Sequence, residues 1–187
     1  LVVLLSLWRG PGWLAQQLRQ GGRALWLSGA CWCVMFTAFM LALTLTTVAN
    51  VPVTMALAPL FTALAARITL GHRLAARTWV AIVLAGAGIG WMYGHELQGG
   101  RHLLGTAVAV AVPVAAAVNW TLIQSLRGRE GAPDMLPAVL LGALLSAAIA
   151  LPLAWPLQAS AHDVAWLSML GLVQLAIPCL LSVMVGR

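Results

Sequence analysis

Between Leu25 and Ala66 no residue carries a charge, and a run of that length restricts the fold more than any other feature. A helix rises about 1.5 Å per residue, so roughly 20 apolar residues cross a bilayer core of about 30 Å. The run is about twice as long as one crossing and must turn within itself. The cluster Thr44, Thr46, Thr47, Asn50 and Pro52 is the place suited to that turn. Composition agrees: 62% of residues are hydrophobic and 7% charged, against about 25% charged in a soluble domain. Four carboxylates and ten cations cannot cover a water-soluble globule of this size. The apolar runs lack the alternation of barrel strands. The expected fold class is all-α and integral to the membrane, a multi-span helical bundle.

Hydropathy and turn residues place the tail of one span at 1–8 and further spans at about 25–46, 48–69, 78–94, 103–125, 135–156 and 164–185. The chain begins at Leu1 within an apolar run and ends at Arg187 directly after another, so it reads as a fragment of a longer protein. Every cation is an arginine. Arg9, Arg19, Arg23, Arg67, Arg73, Arg77, Arg127, Arg129 and Arg187 fall on one side of the alternating spans, and Arg101 on the other. Cytoplasmic loops hold the cationic excess, so the nine-arginine side is inside. The net charge of +6 is thus topology and no sign of nucleic-acid binding. Cys31, Cys33 and Cys179 lie in apolar segments and read as small packing residues rather than a disulfide framework.

Lipid gives helices no hydrophobic drive to associate, so close packing falls to small residues. Gly86, Gly90 and Gly94 form a ridge at four-residue spacing, and Gly142 opens a similar one with Ser146, Ala150 and Ala154. A phosphate loop at Gly86–Gly90 would need a preceding strand and a different glycine spacing. The ridges are also compatible with a homodimer. Enzymatic chemistry finds little support. Glu96, Glu130, Asp134 and Asp163 all lie in connections, and no Lys, His or acid falls within a span core. His95-Glu96 opens like a zincin motif, but Gly99 stands where the second ligand belongs. His95, His102 and His162 share the outer side; as loop histidines they read as solvated, and no metal or cofactor is assigned.

What remains at membrane depth is polar but neutral. Thr47, Asn50 and Thr54 fall three and four apart, on one helix face with Ala58 and Thr62. Asn119 and Trp120 lie within the 103–125 span, Gln174 near the middle of the last one, and Thr37 in the 25–46 span. An unpaired amide in hydrocarbon costs several kcal/mol, so these groups face other helices or a watery cavity. For the threonines, hydrogen bonding within the helices, their own backbone included, is the favoured explanation; for Asn119, Trp120 and Gln174 it and cavity lining stand level. Pro59, Pro113 and Pro178 are expected to interrupt their spans and release the carbonyl four residues earlier. Broken helices of that kind recur around transporter binding sites.

Trp26-Leu27-Ser28 recurs as Trp166-Leu167-Ser168, each near a span start. The two copies are separated by an odd number of crossings and run oppositely through the membrane, as in an inverted-topology repeat. The stretches Ala56-Leu57-Ala58-Pro59-Leu60-Phe61-Thr62-Ala63-Leu64, Leu70-Gly71-His72-Arg73-Leu74 and Trp79 to Ile89 resemble EamA-type carriers of the drug/metabolite transporter superfamily. In that family a Pro-centred fourth helix ends in Leu-Gly-Glu and a Gly-rich fifth helix follows. Gly171 to Pro178 looks like the family's eighth helix. The resemblance implies ten helices in two inverted halves. Residues 1–94 would then be the end of the first half and 103–187 the start of the second. His72 stands where the family usually has Glu, which leaves any ion pair of that Glu in doubt here.

The expected function is secondary transport of a small metabolite, amino acid or drug-like compound across the inner membrane, with export favoured by the resemblance. The expected substrate-binding residues are Asn119, Trp120 and Gln174, then Asn50 and Thr54. The partners are the small-molecule substrate and the lipid bilayer. A membrane enzyme acting on a lipid would need acid or His clusters at an interface. A structural or sensory subunit would use the glycine ridges alone.

Overall fold

A computed structural model describes residues 16–17, 19, 21–71, 75–96, 102–126, 134–155, 160–178 and 181. Among the described residues every regular element is helical. Helix α1 spans Gly22–Leu45, α2 Asn50–Met55, α3 Ala58–Leu70, α4 Ala76–Glu96, α5 His102–Leu126, α6 Leu136–Leu153 and α7 Ala161–Leu170. A π-helical segment, Gly171–Ala176, continues α7. By length and composition Gly22–Leu45, Asn50–Thr69, Leu104–Leu126 and Leu136–Leu153 are each able to cross a membrane. Ala76–Gly88 and Ala161–Val173 are shorter apolar stretches. The expected tail at 1–8, His72 and Cys179 lie outside the described residues.

The chain divides into two compact units, one of Leu1–Ala30 with Arg127–Arg187 and one of Cys31–Leu126. In the second unit α5 packs against α2 and α3. Its small core is Ala42, Val51 and Ala109, with Phe39, Leu43 and Val108 set against them. The approach is close because α5 offers no side chain at Gly105. A Cβ there would come within 2.7 Å of the Leu45 carbonyl carbon and oxygen. Gly71 ends α3 in the left-handed region, with φ 65, where a side chain would be strained. Across that turn the Arg67 guanidinium lies 5.4 Å from the Trp79 ring centre, a cation–π contact that ties α3 to the start of α4.

In the first unit the leading half of α6 is buried, from Leu136 to Gly142, and its trailing half is exposed. Leu141 closes over Gly29, where an added Cβ would meet the Leu141 Cδ2 at 2.6 Å. Helix α7 has no buried residue. Its start is held by a reciprocal cap: the Ser160 hydroxyl accepts from the Asp163 N–H at 3.2 Å, and the Ser160 N–H donates to the Asp163 carboxylate at 3.0 Å. Two orphan donors of the first turn are thereby satisfied.

Two expectations need correction. The 50–70 crossing is broken at Ala56–Leu57, but Pro113 interrupts nothing, since α5 is continuous from His102 to Leu126. Pro113 is fully buried, and the small residues around it, Ala109 and Ala115 to Ala117, let the helix absorb the ring. Second, Thr47 does not share the helix face of Asn50 and Thr54. It lies in the connection before α2, where its hydroxyl accepts from the Asn50 N–H at 3.3 Å. A threonine at that point satisfies a helix-start donor that would otherwise be orphaned.

Candidate substrate site

Helix α2 owes its shape to two prolines. Pro52 sits in its first turn, where a missing N–H costs nothing. Pro59 sits in the first turn of α3 and cannot donate to the Met55 carbonyl. At the join Ala56 donates to Pro52 and Val53, and Leu57 donates to Thr54, each at 3.1 Å. The Met55 carbonyl accepts none of these bonds. The result is a six-residue half-helix set end to end with α3.

Asn50, Val51 and Thr54 are the buried residues of α2, and α2 packs against α5. Asn50 Nδ2 donates to Thr46 Oγ1 at 3.2 Å, and the Thr54 hydroxyl donates to the Asn50 carbonyl at 2.8 Å. Sequence places these two groups on one face, and the structure brings them together in one network. Both are turned toward the packed interior of their unit. The hydroxyls of Thr44, Thr69 and Thr121 likewise donate to carbonyls of their own helix, those of Leu41, Ala65 and Ala117, each at 2.7 Å. Back-bonding of this kind is how threonine rests in an apolar helix.

Asn119 is fully buried in the last third of α5, and Trp120 beside it is half-buried. Val51 packs at the level of Ala109, and Asn119 stands ten residues further along α5, about 15 Å away. The two buried asparagines therefore belong to different levels of the unit. Burial of an amide costs several kcal/mol unless it is hydrogen-bonded, and Asn50 meets that need through Thr46.

Gln174 falls within the π-helical segment; its side chain lies outside the described residues. The Ile177 N–H reaches back five residues to the Leu172 carbonyl. The cause is Pro178, which supplies no N–H and whose ring crowds the Gln174 carbonyl, so the preceding turn widens. Wide turns of this kind often occur at functional sites.

The glycines expected to pack behave unequally. Gly142 is buried in α6. Gly86 and Gly90 stand beside open space among the described residues, and the surroundings of Gly94 lie outside them. Among the described residues Gly29 and Gly105 approach other helices tightly, and neither belongs to the expected ridges. The signal was present as the Gly105-x-x-x-Ala109 spacing, hidden in an alanine-rich helix. At the opposite end of the chemistry, Trp166 Nε1 donates to His162 Nε2 at 3.1 Å, which occupies that ring nitrogen. Among the described residues no three His, Cys, Asp or Glu side chains come together to hold a metal ion.

The elements that carry Asn50 and Thr54 thus combine apolar spans, a proline-broken crossing and neutral buried amides. A model of the EamA-like transporter family matches residues 1–94, half of the chain. No curated protein matches the chain. No solved structure matches it either. On the family match, and with an all-helical fold of membrane-crossing length, the chain belongs to the EamA-like transporter family, a family of multi-span membrane carriers.

Proposed function

We propose that this protein is a secondary transporter that moves a small metabolite, amino acid or drug-like compound outward across the inner (plasma) membrane. The observation that carries the reading is the fully buried Asn119 in a helix of membrane-crossing length, within a chain of a carrier family. No acid, lysine or histidine lies within a span core, and Arg23 and Arg67 fall near the ends of theirs; this supports a substrate held by neutral hydrogen bonds and aromatic contact rather than by a fixed countercharge. Asn119, Trp120 and Gln174 are the residues proposed to touch it, with Asn50 and Thr54 bracing the half-helix at a second level.

Residues 1–94 and 103–187 are read as parts of two inverted halves. Trp26 and Trp166 support this: each lies in the opening turns of its helix and each is half exposed, at 51% and 52%. The deciding experiment is transport by the full-length protein in sealed vesicles against a panel of metabolites and drugs. Movement of at least one compound is expected. Failure to move any of a broad panel contradicts the reading.

A further inference from the structure

In α7 a hydrogen bond joins two side chains that can make it in only one protonation state. His162 and Trp166 fall four apart and so share one face of the helix. Trp166 Nε1 donates to His162 Nε2 at 3.1 Å. Their rings meet edge to face, with centres 5.9 Å apart and planes inclined at 62°. An indole nitrogen is a donor and nothing else, so the imidazole has to accept. Nε2 accepts in the neutral ring that carries its proton on Nδ1; in the protonated ring both nitrogens are donors. A proton added to His162 at Nε2 therefore sets two N–H groups against each other and ends the bond.

The surroundings leave the imidazole open to that proton and the indole free to turn. Both residues are exposed, Trp166 at 52%, and α7 has no buried residue, so parting the rings disturbs no core. Asp163 is the charged neighbour in the chain, and its Oδ2 is taken by Ser160, whose N–H donates at 3.0 Å and whose hydroxyl donates at 2.7 Å. Helix α7 packs against its own continuation, Gly171–Ala176, which carries no titratable side chain. Histidine is the side chain whose charge ordinarily changes between about pH 5 and 8.

We infer that His162 and Trp166 form a proton-operated latch at the start of α7: neutral His162 holds the indole against the first turns of the helix, and protonation of His162 releases it. The latch goes beyond the transporter reading and does not rest on it. Trp166 lies in the opening turns of the apolar stretch Ala161–Val173. Tryptophan in such a position suits a membrane–water boundary, so the proton sets which way that ring is held.

The test follows the indole N–H signals by NMR, in full-length protein with isotope-labelled tryptophan in detergent micelles. Trp166→Phe identifies the Trp166 signal, and the remaining indole signals report that each variant is folded. As pH falls from about 8 to about 5, the Trp166 proton signal is expected to move upfield as its hydrogen bond is lost, and to return when pH is raised. His162→Gln keeps a side-chain acceptor that does not titrate, and its Trp166 signal is expected to stay still. His162→Ala offers no acceptor, so the signal is expected at the low-pH position throughout. Asp163→Asn is expected to respond as the parent does. A Trp166 signal that is flat in the parent overturns the latch. So does a response that persists in either His162 variant, or one that vanishes in Asp163→Asn.

Discussion

Pro59 and Pro113 each fall within a crossing of membrane length, and only the crossing of Pro59 breaks. In α5 Pro113 is buried, as are Ala109 and Ala115 to Ala117 on the same helix, and the helix runs through it. In the 50–70 crossing Pro59 is exposed, and the chain opens into a half-helix and a second helix. The same ring removes the same N–H in both. What differs is burial: Pro113 is buried, whereas Pro59 is exposed among the described residues. Pro178 gives a third outcome, one widened turn before the ring. Proline thus fixes where a hydrogen bond is missing, and packing decides whether the helix parts there.

The contrast is open to direct attack. Gly105→Val should have the largest effect, because its side chain would strike the backbone of Leu45 and unseat α5. A loss of about 1–3 kcal/mol is expected from overpacking, read as a lower melting temperature in detergent. Pro59→Ala should join α2 to α3 and slow transport about tenfold, near 1.4 kcal/mol of barrier. Pro113→Ala should leave transport unchanged. Equal effects at the two prolines would erase the distinction between the crossings. Gly86→Ala meets nothing among the described residues and should stabilise α4 by about 0.5–1 kcal/mol through its backbone entropy. Destabilisation there would instead show that a second copy of the chain closes on the ridge, as in a homodimer.

The smallest effect is at the start of α7. The Ser160 hydroxyl, and then its N–H, hold the Asp163 carboxyl below its usual range. A carboxyl depressed in the folded state contributes stability that is present above its unfolded value and lost as pH falls through the folded one. Amide exchange in the first turn of α7 should therefore speed up as pH drops below the ordinary aspartate range, and Ser160→Ala should weaken that dependence. A flat profile in the parent protein would remove the cap from the account.

Much of the fold was legible because membrane-length runs admit few alternatives. Helices at Gly22–Leu45 and His102–Leu126 differ by one to three residues from the spans expected at 25–46 and 103–125. The break was legible as a proline but not as an event, since Pro59 and Pro113 look alike until their neighbours are known. The packing glycines show a related limit. Gly86 and Gly90 stand out by spacing, yet a tight approach is at Gly105, where the partner is the Leu45 backbone and the Gly105-x-x-x-Ala109 spacing is hidden in an alanine-rich helix. Thr47 keeps the helical spacing of Asn50 and Thr54 but lies three residues before their helix begins, because periodicity in sequence runs on through a connection where the helical backbone does not. Asn119 was the clearest signal, as an amide within an apolar run stands out wherever the helix faces.

The central claim is that neutral groups, rather than a buried charge, hold what this protein carries. Transport by the full-length protein in sealed vesicles, compared with a Trp120→Ala, Gln174→Ala double variant inserted to the same level, tests it most directly. The account predicts transport in the parent and a loss of at least about tenfold in the variant, near 1.4 kcal/mol. Undiminished transport in the double variant would contradict it.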